Sequence, residues 1–426
     1  MLWFDITNIW MRKSSVLTGT QRTSLNILKH LLATREDVRL FRFDRKLGAL
    51  REVVPDTPEP GAWIASTPKA GANAKLSTSS WSERRARLWP QLRQVPARVR
   101  LVAGSSSGVP DDMLRAALQP LFQPGDIVLS MSTSRGQKAY AEAIVANSAG
   151  QNVKYISFIY DLIPALFPQW VAEGAAARFE RWVTRELERA DMLLTISQYQ
   201  KAELAGFMAR KQIAAKPIEV VYLGDEHLGG TGGSVVEPAH PPRSPFVLCV
   251  GVLDARKNHY ALYHAWRRLA AELGEDCPRL VLIGRRFMLS DDLLYQIDRD
   301  PIVNKLIVHL QDVPDAELAW YFRNCLFTMF PSHYEGWGLP VAESLHYGKL
   351  CIASNASSIP EIGGDLVDYF DPIDIASCYR LTHRAVTDEA YREGRMSEIK
   401  LRYVARSWSA AAETVNQIVD DLQRRR

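Results

Sequence analysis

One loop carries most of the side chains that could do chemistry. It runs from Pro331 to Ser344 and follows the short apolar run LFTMF. A proline at the start of a helix, with a glycine just before it, predicts that a helix begins here, and Gly348 predicts its end. The free backbone N–H groups at the start of such a helix bind anions. Gly336 and Gly338 would let an anionic ligand approach the main chain closely.

Two carboxylates belong to the same loop. Glu335 precedes the predicted helix and Glu343 lies about one turn into it, so both could reach one pocket. Spacing alone is weak evidence, because about one such pair is expected by chance in a chain of this length. The alternative is that Glu343 is a favourable acid near a helix start and Glu335 a solvated loop residue. The neighbouring glycines, the proline and the preceding apolar strand favour a functional pair.

A second loop, which follows the apolar run FVLCVG, places Arg256 and Lys257 side by side. Adjacent cations at the carboxyl end of a central strand can neutralise a diphosphate without a metal ion. The alternative is a solvated turn in which Asn258 caps the next helix, and both interpretations can hold at once.

The amino-terminal half offers fewer candidates. Asp161 follows the run YISFI with Tyr160 before it, where it could orient a substrate or cap the following turn. Ser197, after the run DMLLTI, is expected to cap a helix. The glycine cluster at 229–233 has no strand and helix around it, and the chain has no GxxxxGK[ST] motif. These observations argue against a dinucleotide loop and a P-loop ATPase.

Strand-like and helix-like runs alternate along both halves of the chain, which predicts two doubly wound parallel sheets in an α/β fold. A length of 426 residues fits two domains, since single cores stop growing near roughly 250–300 residues. The first strand is followed by a polar loop ending in TGTQR and a helix through SLNILKHLLA. We predict a first domain over 1–228 with a basic insertion at about 51–110, a linker over 229–245, a second domain over 246–407, and a helix over 408–426 that could pack back on the first domain.

Composition narrows the protein class. Hydrophobic residues make up 47% and charged residues 23% of the chain, which excludes a disordered or fibrous protein. The net charge of +4 is too even to imply nucleic acid, and no apolar run is long enough for a spanning helix or a secretory signal. The five cysteines have no metal-ligand spacing, so we expect buried thiols in a reducing cytoplasm: Cys249, Cys277, Cys325, Cys351 and Cys378.

The insertion is rich in arginine between residues 84 and 100. Its arginines are interleaved with Trp81, Leu88 and Trp89 and number six: Arg84, Arg85, Arg87, Arg93, Arg98 and Arg100. Such a mixture suits a segment that lies on an anionic membrane, or a groove for an anionic acceptor. A solvated insertion is an equal alternative.

Taken together, these motifs identify a family resemblance. The segment FPSHYEGWGLPVAESLHYGKLCIASNASSIPEIGG closely resembles the donor-site signature of glycosyltransferase family 4, whose members are retaining enzymes of the GT-B type. The likeness continues in GVLDARKNHY, HLQDVPDAELAWYFRNC, TGTQR, YDLIPALFP and TISQYQKAEL, and so covers most of the chain outside the insertion. The first-domain motifs are similar to those of a bacterial mannosyl- or hexosyltransferase subgroup. The resemblance implies two Rossmann-like domains that face each other across a cleft.

The resemblance also implies roles for single residues. Glu335 would be catalytic beside the donor sugar, and Glu343 would hold the ribose hydroxyls. Arg256 and Lys257 would bind the diphosphate, with Lys257 and Asp161 also counted as catalytic. The remaining candidates are the donor-binding main chain of Gly336, Trp337, Gly338 and Leu339, and the donor or acceptor contacts Gly19, Arg22 and Tyr160. Two departures stand out: Tyr160 replaces the family's usual His, and Val252 replaces an Arg that many members carry.

The implied reaction is transfer of a hexose, with mannose from GDP-mannose favoured, to a growing or lipid-linked glycan of a bacterial surface polysaccharide such as lipopolysaccharide. No metal and no other cofactor is expected, and the enzyme would be cytoplasmic, with peripheral contact at the membrane as an option. Two rivals remain: an isomerase that acts on a nucleotide sugar without an acceptor, and an inactive scaffold that binds nucleotide sugars.

Overall fold

The computed structural model describes residues 1–10, 18–45, 47–54, 120–131, 138–225, 235–242 and 244–424. The arginine-rich stretch between Arg84 and Arg100 therefore lies outside the described residues. The same holds for the glycine cluster at 229–233 and for the first part of the interval that the sequence predicts as a linker.

The amino-terminal half contains a seven-stranded sheet. Its strands are β1 Leu2–Asp5, β2 Val38–Asp44, β3 Ala49–Val53, β4 Ile127–Ser130, β5 Lys154–Phe158, β6 Met192–Thr195 and β7 Ile218–Val220. Their order across the sheet is β3-β2-β1-β4-β5-β6-β7, and every neighbouring pair is parallel except the β2–β3 hairpin. Leu2 at the start of the central strand pairs with Val38 on one side and Ile127 on the other. The carboxyl ends of the parallel strands therefore share one edge.

The helices of this half are α1 Thr7–Trp10, α2 Gly19–Thr34, α3 Lys138–Ser148, α4 Ile163–Leu166, α5 Ala175–Arg189 and α6 Gln198–Arg210, with a 3-10 turn over Pro168–Trp170. The expectation that TGTQR forms a loop before α2 is wrong. Thr18 caps α2, its hydroxyl accepts from the Gln21 N–H, and the Gln21 side chain accepts from the Thr18 N–H. This capping box starts the helix at Gly19, so Arg22 lies in its first turn.

The carboxyl-terminal half contains a six-stranded, fully parallel sheet. Its strands are β8 Phe246–Val250, β9 Arg279–Ile283, β10 Ile307–Leu310, β11 Thr328–Phe330, β12 Cys351–Ser354 and β13 Asp368–Phe370, in the order β10-β9-β8-β11-β12-β13. From β8 the chain adds strands toward one edge of the sheet, and from β11 it adds them toward the other edge. The loops after these two strands therefore open on one crevice, where ligands bind in doubly wound sheets. They are the two loops that carry the candidate residues.

The helices of this half are α7 His259–Leu273, α8 Asp291–Arg299, α9 Asp315–Asn324, α10 Leu339–His346, α11 Pro360–Gly363, α12 Ile375–Thr387, α13 Glu389–Arg402 and α14 Trp408–Arg424. The last of them returns to the first sheet and packs on α2. Its Asn416 amide donates to the Thr34 hydroxyl, and Asp420 pairs with Arg35 at 2.5 Å. The chain thus ends on the domain in which it began.

Two predictions from the composition concern the cysteines and membrane-spanning helices. All five cysteines are buried and unpaired, as predicted. Within the described ranges, no helix has the length and apolar character needed to cross a membrane.

The two halves meet along the amino-terminal end of α6. The Glu361 carboxylate of α11 accepts hydrogen bonds from the backbone N–H groups of Gln198 and Tyr199, at 2.8 and 2.6 Å. An acid of one domain thus satisfies the free donors of a helix in the other, where the helix dipole also favours negative charge. Ser197 caps the same helix, as predicted, and its hydroxyl also donates to the Gly336 carbonyl across the interface. These bonds hold the loop after β11 against the first domain.

A second contact at the junction of the halves lies where residues 221–225 meet residues 403–408. The Asp225 N–H donates to the Arg406 carbonyl at 3.0 Å. Gly224 is pressed on Trp408, so that a Cβ atom at this position would lie 2.7 Å from the Trp408 Cγ and backbone nitrogen. The Trp408 backbone nitrogen is held in place by the chain. It cannot move away from an added Cβ atom, whereas the end of a flexible side chain could.

Gly224→Ala should therefore lower the free energy of unfolding by about 1–3 kcal/mol, the usual effect of overpacking. Gly394→Ala is the matched control, because Gly394 lies exposed in α13 with nothing within 4 Å of an added Cβ. Removing a glycine from a helix interior should instead raise stability by roughly 0.5–1 kcal/mol. Denaturant unfolding of both variants measures the contrast, and equal effects would contradict this account of the contact.

Candidate active site

A buried ion cluster lies at the crevice between β8 and β11. One Glu335 carboxylate oxygen lies 2.7 Å from the Arg256 Nη1, and the other lies 2.6 Å from the Lys257 Nζ. Glu335 is buried, and the side chains of both cations are only 13–15% exposed. The cluster joins the loop after β8 to the loop after β11, so residues about 80 positions apart form one site.

The electrostatics of the cluster keep Glu335 ionised. Burial by itself would raise the pKa of this carboxyl group, because a charge is poorly solvated inside a protein. The attraction of Arg256 and Lys257, together with their hydrogen bonds, outweighs burial and lowers the pKa to about 2. A permanent negative charge thus stands between two positive ones.

The loop after β8 is shaped to hold its two cations in place. The Asp254 carboxylate accepts from the Lys257 N–H at 3.0 Å and lies 3.8 Å from the Arg256 Nη2. The Lys257 ammonium lies 4.6 Å above the ring of Phe330, a cation–π contact. Arg256 also donates to the Tyr334 carbonyl at 2.7 Å. Both cations are therefore positioned by contacts within the site.

The expectation that the Asn258 side chain caps α7 is wrong. Asn258 does occupy the cap position, but its backbone is left-handed, with φ of 55°, and its side chain makes no capping bond. The amide instead donates to the carbonyls of Pro331 and Pro372, at 3.1 and 2.8 Å. Asn258 thereby fastens the loop after β8 to the loops after β11 and β13.

Two serines that the sequence analysis did not single out hold the loop after β11. The Glu335 N–H donates to the Ser357 hydroxyl at 2.8 Å, and the Ser358 hydroxyl lies 3.0 Å from the carbonyls of both Glu335 and Trp337. Both serines follow β12, the neighbour of β11. Their place at the carboxyl end of an adjacent strand is the signal by which the sequence could have indicated them.

The glycines of this loop are required by close packing and by backbone conformation. A Cβ atom at Gly336 would lie 3.1 Å from the Asp161 Cβ and 3.3 Å from the Tyr160 carbonyl oxygen, both in the first domain. Gly338 has φ of 143°, and a Cβ there would lie 2.9 Å from Ile362. Trp337, between them, directs its ring away from the ion cluster to Tyr222 and Arg406 in the domain interface.

The helix predicted to begin after this loop is α10, which starts at Leu339. Helix α10 has no side-chain cap at Gly338; Pro340 has no N–H, and the Val341 N–H donates to the Gly338 carbonyl at 2.9 Å. Gly19, at the start of α2, lies opposite, since a Cβ atom there would be 4.0 Å from the Leu339 Cδ1. The amino-terminal ends of two helices from different domains thus approach each other, and both favour an anion between them.

Glu343 lies in α10 and is buried. Its partner comes from the first domain: the Arg22 Nη1 is 3.4 Å from the Glu343 Oε1, while the Arg22 Nη2 is 3.2 Å from the Asp315 Oδ1. The sequence analysis selected Glu343 and Arg22 separately, and the structure brings them together. A nucleotide that used the Glu343 carboxylate would therefore also meet Arg22.

Tyr160 and Asp161 follow β5 on the first-domain side of the crevice. Asp161 faces Gly336, and one of its oxygens accepts from the Ile163 N–H at 3.1 Å, so it caps the following turn while it lies at the site. The Tyr160 hydroxyl points elsewhere, bonding to the Ser24 hydroxyl and the Thr20 carbonyl of α2. Burial raises the pKa of Tyr160 above its usual range. The idea that its hydroxyl replaces the family's His is not favoured by this placement.

Across the part of the chain that the structure describes, no three or more His, Cys, Asp or Glu side chains are grouped so as to hold a metal ion. The charged groups of the crevice are instead arranged as pairs of opposite sign.

Comparison with known proteins agrees with this geometry. Residues 235–394 match the family model described as glycosyl transferases group 1. The chain is 26% identical over 279 residues to the serotype-specific mannosyltransferase WbdA of Escherichia coli, covering 63% of this chain and 33% of that protein. It is 25% identical over 244 residues to the O-antigen chain mannosyltransferase B of Escherichia coli, covering 56% and 62%. Sucrose-phosphate synthase from Thermosynechococcus elongatus superposes with a TM-score of 0.62 at 17% identity, covering 99% and 98%.

Residues 235–394 form a group 1 glycosyl transferase domain within a GT-B fold. The family model over these residues agrees with the resemblance seen in the motifs, and the predicted fold class is confirmed. The chain spans about a third of the length of WbdA. The ion cluster lies inside the matched domain, whereas Arg22 and Asp161 come from outside that domain and meet it at Glu343 and Gly336.

The depressed pKa of Glu335 leads to a pH-dependent prediction. A carboxyl group whose pKa falls from 4.5 to about 2 on folding stabilises the folded state above about pH 4.5, and this contribution is lost as the pH falls toward 2. The stability difference between wild type and Glu335→Gln should therefore be largest above pH 4.5 and shrink below it. Denaturant unfolding from pH 3 to pH 7 measures it. Glu413 is exposed in α14, so Glu413→Gln should leave the free energy of unfolding unchanged at every pH. A stability difference for Glu335→Gln that does not vary with pH would contradict the prediction.

Proposed function

We propose that the protein is a retaining glycosyltransferase that moves a hexose from a nucleoside-diphosphate sugar to a growing glycan. The observation that carries the proposal is the convergence of Arg256, Lys257 and the start of α10 on one crevice, with Glu335 between the cations. Cations and free helix N–H groups are suited to a diphosphate leaving group. Glu343 would hold the ribose hydroxyls, and Glu335 would lie beside the sugar.

The bond changes are those that the family resemblance implies for a retaining transfer. The bond between the sugar C1 and the diphosphate oxygen breaks, and a bond from C1 to the acceptor oxygen forms on the same face of the sugar. The acceptor proton passes to the leaving phosphate oxygen. Arg256, Lys257 and the α10 N–H groups would stabilise the charge that develops on the diphosphate, which is the role of preorganised donors in transfer reactions, and no metal ion is required in this scheme.

We further infer that mannose from GDP-mannose is the first donor to test and that the acceptor is a glycan, free or lipid-linked, of a bacterial surface polysaccharide. Support comes from the two relatives named as mannosyltransferases, one of which is named for the O-antigen chain. The first-domain motifs support the same sugar. Such an enzyme would work in the cytoplasm, with peripheral contact at the inner face of the membrane.

The main alternative is an isomerase that acts on the nucleotide sugar alone. It uses the same donor site but needs no acceptor, so incubation with the donor alone separates the two activities. An epimerised donor would support the isomerase, whereas release of the nucleotide only on addition of a glycan acceptor would support transfer. Tight nucleotide binding without either reaction would favour an inactive scaffold.

Lys257→Ala should reduce kcat/KM for the donor tenfold or more, on the order of 1.4 kcal/mol, because it removes one of two cations from the proposed diphosphate site. Lys349→Ala is the matched control: this half-buried lysine of the same domain donates to the Cys325 carbonyl at 2.7 Å, away from the crevice. Steady-state kinetics of both variants give the comparison. Wild-type kinetics in Lys257→Ala would remove this residue from the site.

Glu343→Ala should likewise reduce kcat/KM for the donor tenfold or more, because the ribose would lose its carboxylate partner. Since Glu343 also pairs with Arg22, the variant Arg22→Gln is measured beside it. A donor KM that rises more in Glu343→Ala than in Arg22→Gln supports the ribose contact. Equal losses in both would assign Glu343 to the pairing of the domains instead.

The donor can be identified by thermal shift. A ligand that binds only the folded protein stabilises it by about 2.7 kcal/mol at a concentration 100 times its Kd. Among GDP-mannose, GDP, UDP-glucose, UDP-N-acetylglucosamine and dTDP-rhamnose, we expect GDP-mannose to give the largest rise in Tm. A larger rise with another sugar nucleotide would replace mannose as the donor, and no rise with any of them would contradict the proposed function.

A further inference from the structure

Aromatic side chains from both domains meet beside the ion cluster. Phe167, Trp170 and Tyr199 come from the first domain, and His333 and Tyr334 come from the loop after β11. We call these five rings the aromatic joint. It adjoins Glu335 in sequence on one side and the turn that begins at Asp161 on the other.

Three of the rings are nearly parallel. The centroids of Phe167 and Trp170 lie 4.5 Å apart with an angle of 27° between the planes. Those of Trp170 and His333 lie 5.9 Å apart with an angle of 12°. Phe167 also contacts Tyr334 at 4.8 Å. A row of stacked rings thus crosses from the first domain to the second.

The joint is fixed to the ion cluster through the main chain. The His333 N–H donates to the Arg256 carbonyl at 2.8 Å, and the Tyr334 carbonyl accepts from the Arg256 guanidinium. Trp170 therefore stacks on a ring whose backbone is bonded to the residue that pairs with Glu335.

Exposure separates this group from the aromatic pairs of the domain cores. Phe41 and Phe122, which pair inside the first domain, are completely buried. Phe167, Trp170 and His333 are only half-buried, and Tyr199 is 38% exposed. Only Tyr334 is fully covered, and its hydroxyl is bonded to the Gln200 amide. Ring surface is therefore left open to solvent at the side of the crevice, where packing alone would favour covering it.

We propose that the aromatic joint is a binding subsite for a sugar ring of the acceptor glycan, with the solvent-exposed parts of the Trp170 and His333 rings as its contact surface and Asp161 as a partner for the sugar hydroxyls. This rests on the proposed function, in which the acceptor is a glycan. The face of an aromatic ring is electronegative and attracts the C–H bonds on the apolar face of a pyranose, while a half-buried carboxylate accepts from hydroxyls. Partly exposed rings and a carboxylate that both border residues 334–336 of the same loop offer both kinds of contact.

The competing explanation is that the rings only hold the two domains together. The two roles differ in what Trp170→Ala should change. A subsite residue affects acceptor binding and leaves donor binding alone, whereas a purely structural residue lowers stability and affects both substrates. Trp320→Ala is the matched control, since Trp320 is also half-buried and stacks on Phe246, at 6.1 Å and 8°, near the amino end of β8 and so at the far edge of the sheet.

The test uses the full chain and saturation-transfer NMR with α-linked mannobiose as the probe. We expect saturation on the ring C–H protons with wild type and with Trp320→Ala, a weaker signal with Trp170→Phe, and none with Trp170→Ala. If Trp170→Ala fails to fold, His333→Ala replaces it, with the same expected loss. No transfer with wild type, or transfer that persists in the folded Trp170→Ala and His333→Ala proteins, would overturn the proposal.

Kinetics separate a failure of this inference from a failure of the proposed function. With an accepted glycan, Trp170→Ala should raise the acceptor KM about tenfold and leave the donor KM within about twofold of wild type. If Trp170→Ala still transfers the sugar and its acceptor KM is unchanged, the subsite is wrong and the proposed function stands. If sugar binding depends on Trp170 but no donor is turned over, the subsite is supported and the proposed function is wrong.

Discussion

The site depends on one buried carboxylate, Glu335, which is held between Arg256 and Lys257. Removing three charges from water is unfavourable, and their mutual attraction offsets that penalty only when the contacts are close. The short distances to both cations meet this condition and keep Glu335 ionised. Because the cations follow β8 and the carboxylate follows β11, the cluster fixes two loops at the point where the sheet reverses its winding. Asn258, Ser357 and Ser358 then fasten the backbone of these loops.

A second constraint comes from the contact between the domains. The Gly336 carbonyl is bonded to Ser197, Glu361 occupies the start of α6, and Arg22 reaches Glu343. Each bond joins a residue near the crevice to the opposite domain. A group 1 glycosyl transferase domain alone would therefore lack part of its own surroundings. Helix α14 follows the second domain in the chain but packs on the first. This connection also limits how far the two domains can move apart.

Local sequence signals predicted the second domain well. Glycine and proline around residue 338 indicated the start of α10, and the runs FVLCVG and LFTMF indicated the two strands that flank the crevice. These features depend on residues close in sequence, whose conformational preferences act locally. The capping box at Thr18 is local too, but a polar run such as TGTQR is equally typical of a loop, so the sequence predicts a start of α2 that is too late.

Contacts between distant residues had no such signal. The side chain of Trp337 lies in the domain interface, Asn258 bonds to two carbonyls instead of capping α7, and the Tyr160 hydroxyl is bound to α2. In each case the residue type fits several partners, and the fold selects one of them. Arg22 is the clearest example, because an arginine in the first turn of a helix carries no indication that its partner is a buried glutamate 321 positions away.

The charge balance of the crevice has a further consequence for how a donor is bound. Asp254, Arg256, Lys257 and Glu335 together carry no net formal charge, so the cluster by itself does not attract a diphosphate over long distances. Attraction must come from the positive end of the α10 dipole and from the N–H bonds of Arg256 and Lys257 that are not directed at Glu335. These are short-range, directional interactions, and they favour a ligand whose phosphates lie at one place in the crevice. In the proposed reaction the neutral cluster would therefore act mainly on the orientation of the donor, which is what a transfer between two sugars requires.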